Sequence, residues 1–184
     1  DNALLYFNKS LEINQEIGNQ QGTASSLNNI GIIYRKQGKY QKAIDYYQKA
    51  LAIRKQLNDK KGVADILNNI GGVYHVMGNN SKTLEYYNQA TAIYTENNDK
   101  QGLCILLYNL GQIYVELKQH AKAMDYFHQS LKISEEIGNE QQKADNYQQL
   151  SESYANNGQY LQAYQYQKKY IQQYIKLFND QSSK

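Results

Sequence analysis

The segment Leu67-Asn68-Asn69-Ile70-Gly71-Gly72-Val73-Tyr74 has three cousins in the same chain. Leu27-Asn28-Asn29-Ile30-Gly31-Ile32-Ile33-Tyr34 precedes it, Leu107-Tyr108-Asn109-Leu110-Gly111-Gln112-Ile113-Tyr114 follows, and Tyr147-Gln148-Gln149-Leu150-Ser151-Glu152-Ser153-Tyr154 is a degraded fourth copy. Their last tyrosines are Tyr34, Tyr74, Tyr114 and Tyr154, a period of 40 residues. A fixed period in this range marks stacked supersecondary units, each of which buries its apolar face against its neighbours.

Between the copies the apolar residues keep helical spacing. Over 23–37, Ala24, Leu27, Ile30 and Tyr34 recur every three or four residues and define one face of a helix, here called helix A. Gly38 closes it, and Ala43, Ile44, Tyr47, Ala50, Leu51 and Ile53 carry a helix B through about residue 57. The second unit repeats this plan over 60–77 and 81–96, the third over 100–117 and 121–137, and the fourth over 140–156 and 160–178. Residues 1–17 match a helix B alone, because Tyr6-Phe7, Leu11 and Ile13 map onto Tyr46-Tyr47, Leu51 and Ile53; the array is expected to begin inside a longer one. The expected organisation is a single array over 1–184, with a truncated repeat at 1–17, repeats at 22–58, 60–98, 100–138 and 140–178, and a polar tail at 179–184.

Some positions call for local expectations. Gly18-Asn19-Gln20-Gln21-Gly22 reads as turn chemistry with glycine at both ends. Lys118 replaces a turn glycine, so that turn should be less cleanly specified, and Ser151 replaces the helix-A glycine in a repeat that departs as a cap would. Gly31, Gly71 and Gly111 stand in register inside helix A, where each costs ~1 kcal/mol relative to alanine. Close approach of helix B through Ala43, Thr83 or Ala123 is the expected reason. The pairs Tyr46-Tyr47, Tyr86-Tyr87 and Tyr126-Phe127 read as packing between repeats, the second member buried and the first nearer the surface.

Composition narrows the function classes. Proline is absent from all 184 residues, which suits helices joined by short turns. An apolar fraction of 41% is enough for helices that each bury one stripe. The net charge of +3 is too small to imply a nucleic-acid partner, and no basic stripe with interleaved aromatics is present. No apolar run approaches the ~20 residues that span a bilayer, so membrane insertion is not expected. The single cysteine, Cys104, fits a reducing compartment, and a cytoplasmic setting is expected on that ground. His75, His120 and His128 are scattered, and no metal spacing, nucleophile–base pair or phosphate loop emerges; neither catalysis nor a cofactor is expected.

The motif identifies the repeat type. A large residue, a Leu-Gly or Ile-Gly step, a tyrosine, then a small residue, an aromatic and a later small residue are met by Leu27, Ile30-Gly31, Tyr34, Ala43, Tyr47 and Ala50. They are met again by Leu67, Ile70-Gly71, Tyr74, Tyr87 and Ala90, with Thr83 in place of the alanine, and by Leu107, Leu110-Gly111, Tyr114, Ala123, Phe127 and Ser130. This pattern resembles the long-period tetratricopeptide repeats of kinesin light chains, regulators of heterotrimeric G proteins and bacterial signalling proteins. Leucine for tryptophan and the missing closing proline depart from it. The resemblance implies an all-α fold, an α–α superhelix or solenoid of antiparallel helix pairs whose concave wall is built from helix A.

It also implies a site. Asn29, Asn69, Asn109 and Gln149 fall on the inner surface, each one step before the buried Ile or Leu. Amide side chains carry both donor and acceptor, so a row of them at repeat spacing can pair with the backbone of an extended peptide; the amides bonding to one another is the alternative. Beside them are expected Asn28, Arg35 and Lys36, then Asp65, Asn68 and His75, then Tyr108, Gln112 and Glu116, and finally Asp145 and Glu152, a wall basic at its start and acidic at its end. Asn28, Asn68 and Tyr108 occupy the place where related domains put the cations that clamp a terminal carboxylate, which disfavours that mode.

The function expected is a non-catalytic scaffold that binds a peptide or protein segment, as the sensory or adaptor part of a larger signalling protein. One alternative is a structural spacer, or a homodimer formed through the apolar stripe of the last helix with Ile171, Ile175 and Phe178. Another is a sensor of a signalling peptide or small molecule.

Overall fold

A computed structural model describes residues 2–182 and the side chains of 2–179. Among the described residues it contains nine helices and no strand: α1 (Asn2–Glu16), α2 (Gln20–Lys36), α3 (Tyr40–Gln56), α4 (Lys60–Val76), α5 (Asn80–Glu96), α6 (Lys100–Glu116), α7 (His120–Glu136), α8 (Glu140–Asn156) and α9 (Tyr160–Ser182). They form two compact units, Asp1–Asn97 with α1 to α5 and Asn98–Lys184 with α6 to α9. α9 runs through most of the expected polar tail; Ser183 and Lys184 lie outside the described residues.

The helix starts are written into the chain. Asn19, Asp59, Asp99 and Asn139 cap α2, α4, α6 and α8, each side-chain oxygen accepting the backbone N–H three residues on at 3.0, 2.9, 3.0 and 3.0 Å. Gly22 therefore lies inside α2, and only Gly18 of the expected turn, at φ 69°, turns the chain. Short connections fold neighbouring helices antiparallel. Tyr34 at the end of α2 stacks on Tyr46 near the start of α3, while Arg54 near the end of α3 reaches Ser25 near the start of α2.

Lys118 corrects an expectation. It adopts φ 58° and closes α6 with the same bonds that Gly38 uses to close α2. Lys118 N–H donates to Val115 O at 2.9 Å and Gln119 N–H to Tyr114 O at 2.8 Å, against 3.0 and 2.9 Å at Gly38 and Lys39. The turn is thus fully formed, and the left-handed conformation costs the lysine roughly 1 kcal/mol. Lys118→Gly is expected to stabilise the protein by about 1 kcal/mol, read as a raised urea midpoint with unchanged helicity; an unchanged or lowered midpoint would refute the strain argument.

The core of the first unit gathers Leu27 and Ala43 with Tyr47, Ile66, Ile70 and Val73, so that α3 is sandwiched between α2 and α4. In the second unit Met124, Phe127 and Leu131 of α7 meet Tyr147 and Leu150 of α8. The in-register glycines face aromatic rings and not the small residues expected. A Cβ on Gly31 would stand 2.7 Å from the Tyr47 ring, on Gly71 2.5 Å from Tyr87, and on Gly111 2.5 Å from Phe127. The first tyrosine of each pair also departs from expectation, because it stacks within its own helix pair. Tyr34–Tyr46, Tyr74–Tyr86, Tyr114–Tyr126 and Tyr154–Tyr166 lie at centroid separations of 5.3, 5.5, 5.3 and 5.4 Å. Lys42, Lys82 and Lys122 cover the outer faces of Tyr34, Tyr74 and Tyr114 at 5.7, 4.7 and 5.4 Å.

Candidate functional site

In the first unit, residues three and four apart on α2 and α4 line a cleft of about 280 Å³. α2 supplies Ser25, Asn28 and Asn29, α4 supplies Gly62, Asp65 and Ile66, and Arg54 enters from the end of α3. Asn69 Nδ2 donates to Asn28 Oδ1 at 3.0 Å, joining the A helices of successive repeats. The Arg54 side chain is only 14% exposed and is fixed from two sides, donating from Nη1 to Asp59 Oδ2 at 2.6 Å and from Nη2 to Ser25 Oγ at 2.7 Å. Asp65 accepts a 2.6 Å bond from the Tyr94 hydroxyl. A held cation and a held carboxylate thus share this cleft with the amides of Asn28 and Asn29.

In the second unit, Tyr108 and Gln112 of α6 stand near Asp145 and Glu152 of α8. Gln112 Nε2 donates to the Tyr108 hydroxyl at 3.3 Å, and Gln148 Nε2 donates to Glu152 Oε1 at 3.0 Å. Burial, followed by the charges of Asp145 and Glu152, pushes the Tyr108 phenol up to about 12. Burial also lifts the Asp145 carboxyl above the usual range, opposed by its bond from the Gln141 amide.

Asn28, Asn29 and Asp65 are brought together in the first cleft. Asn68, Asn69, His75, Asn109 and Gln149 are half-buried on their A helices, and Lys36 and Glu116 are exposed. No side-chain hydrogen bond is formed by Asn29, Asn109 or Gln149 among the described residues, whereas Asn69 already binds Asn28. Arg35 lies apart from the cleft, with its guanidinium 3.1 Å from where a Cβ on Gly72 would stand. The expected basic start is therefore a mixed pair, Arg54 with Asp65. Sequence reasoning missed Arg54. Its signal was the recurrence of a helix-B polar residue, a cap and a glycine, as Asn14–Asn19–Gly22 and Arg54–Asp59–Gly62. A Cβ on Gly62 would stand 2.7 Å from Arg54 Cδ, so glycine there makes room for the arginine.

Other reactive groups are embedded in packing. Cys104 is fully buried with its thiol against Ser130, and burial pushes its pKa up, away from the thiolate that reactivity needs. His128 meets the Tyr154 hydroxyl at 2.8 Å, and burial holds its imidazole below the ordinary pKa. Among the described residues no cluster of three His, Cys, Asp or Glu could hold a metal ion, and no helix is long and apolar enough to cross a membrane.

The model of the tetratricopeptide repeat family matches residues 1–56 and 62–136. Among solved structures, BtubC (BKLC) from P. vanneervenii aligns with a TM-score of 0.78 at 17% identity, over 86% of this chain and 65% of that one. The nearly identical repeats of a Podosopora anserina protein described as a kinesin light chain align at 0.74 with 15% identity, over 96% and 87%. A Rap protein complexed with Competence and Sporulation Factor aligns at 0.67 with 17% identity, over 96% and 59%. The chain thus spans less than two thirds of the BtubC and Rap structures, and at these identities the likeness shows the fold, an all-α solenoid of helix pairs. Among curated proteins none matches the chain.

Proposed function

Because the chain belongs to the tetratricopeptide repeat family, whose repeats are protein-interaction scaffolds, we propose that it holds an extended segment of a partner protein on the A-helix faces of its units. The observation that carries this reading is the open amide chemistry of those faces. Asn29, Asn109 and Gln149 recur at repeat spacing, stay half-buried and keep their donors and acceptors for a ligand, while Arg54 and Asp65 flank the first of them. Such a scaffold suits the adaptor or sensory part of a signalling protein.

A peptide selected against this chain from a display library tests the proposal. The double variant Asn29→Ala/Asn109→Ala, one change in each unit, is expected to weaken that peptide by about 1–2 kcal/mol in sum, with far-UV circular dichroism unchanged. An equal affinity for both proteins would remove the amide row from the account.

Self-association is a second reading with its own observation. The outer face of α9 leaves Ile171, Ile175 and Phe178 48%, 53% and 62% exposed, a contiguous apolar stripe of the kind that marks an interface.

A further inference from the structure

Two equivalent contacts in the first unit carry unlike charges. Arg54 and Tyr94 stand 40 residues apart, as do Ser25 and Asp65, so each pair occupies one position of the repeat. The helix-B side chain reaches the first half of its own helix A in both: Arg54 Nη2 donates to Ser25 Oγ at 2.7 Å, and the Tyr94 hydroxyl donates to Asp65 Oδ1 at 2.6 Å. The cation and the carboxylate thus fall in different repeats. Arg54 finds its counter-charge in Asp59 at 2.6 Å, whereas Asp65 receives a neutral phenol and, among the described residues, makes no ion pair.

Asp65 is exposed, so a cation can reach it from outside. The bond from Tyr94 holds the carboxylate in place before a ligand arrives, which lowers the ordering cost of binding there. Around it the cleft offers the amide oxygens of Asn28 and Asn29 as acceptors, and Ile66, an apolar side on which the stem of a long side chain can lie. An anionic group would meet the unmatched charge of Asp65, while both terminal nitrogens of Arg54 already donate to Asp59 and Ser25. Resting on the reading of the A-helix faces as a peptide-holding surface, we propose that this cleft takes a basic side chain of the bound segment, a lysine or arginine whose cation pairs with Asp65.

Panning a random peptide display library against the 184-residue chain, then measuring the selected peptides by fluorescence anisotropy with Asp65→Asn, tests this. Asparagine keeps an oxygen for the Tyr94 hydroxyl and removes only the charge, so helicity and the urea midpoint should hold. The selected peptides should share one lysine or arginine at a fixed place. Asp65→Asn should weaken them roughly three- to tenfold, a loss that shrinks as salt rises. Glutamine in place of the basic residue should cost the original chain the same factor and cost Asp65→Asn nothing more. Asp65→Lys should prefer the same peptide with glutamate in that place. Peptides that share no basic residue, or that bind Asp65→Asn as tightly as the original chain while still losing affinity for Asn29→Ala/Asn109→Ala, would overturn the charge pairing and leave the peptide-holding surface standing. Failure of any peptide to be enriched would overturn both.

Discussion

Gly71→Ala is expected to destabilise the protein by about 1–3 kcal/mol, although the same change on an open helix surface gains ~1 kcal/mol. The new methyl would stand 2.5 Å from the Tyr87 ring, and Tyr87 is itself only 4% exposed, so neither the ring nor α5 can withdraw without opening the core. The adjacent glycine supplies the control. A methyl on Gly72 would meet only the end of the Arg35 side chain at 3.1 Å and the Tyr87 hydroxyl oxygen at 3.7 Å, and a guanidinium on a flexible stem can shift by a few tenths of an ångström. Gly72→Ala should therefore be neutral or stabilising by up to about 1 kcal/mol. Urea denaturation followed by circular dichroism separates the two, and midpoints that move in the same direction would sink the close-approach argument.

The fourth helix pair shows what happens when the ring is absent. Position 167, equivalent to Tyr47, Tyr87 and Phe127, is the exposed Gln167, and the glycine position holds Ser151. The space above α8 is then filled by the serine itself, whose Oγ donates to Ala163 O at 2.9 Å. Glycine and aromatic ring thus occur together in three pairs, and serine and glutamine replace both in the last.

Much of this was legible in the chain, and what was not has physical reasons. The helix pairs were readable because apolar residues at three- and four-residue spacing repeat with one period. The partner of the glycines was misread because a sequence shows which residues share a face, yet not which atom on the opposing helix comes nearest: alanine seemed small enough, and the ring is what arrives. Lys118 was misread for another reason. The bonds of a turn are backbone bonds, so packing of α6 on α7 imposes them on a residue that would not choose them. The amide row was placed on its helices from the resemblance, whereas the bond from Asn69 to Asn28 and the entry of Arg54 depend on how far one repeat is rotated against the next, a quantity that no periodicity carries.

The buried polar pair in the second unit leads to an expectation of the same size with an opposite remedy. Asn146 is fully buried, its Nδ2 donates to Ser130 Oγ at 3.0 Å, its Oδ1 finds no partner, and the Ser130 hydroxyl donates to Cys104 O at 2.9 Å. The equivalent positions in the first unit hold Ala50 and Ile66, both in the core, at the α3–α4 interface, while α1 and α2 meet through Ser10 and Ser26 with hydroxyl oxygens 3.1 Å apart. At each of these interfaces the pair is polar on both sides or apolar on both. Ser130→Ala alone leaves a whole amide group buried without a partner and is expected to cost about 1–3 kcal/mol. Ser130→Ala/Asn146→Ile copies the α3–α4 interface, removes the unpaired Oδ1 as well, and should be at least as stable as the original chain. A double-mutant cycle in urea reads the coupling directly, and a double variant as weak as the sum of its parts would mean that the serine–asparagine contact is not what holds α7 to α8.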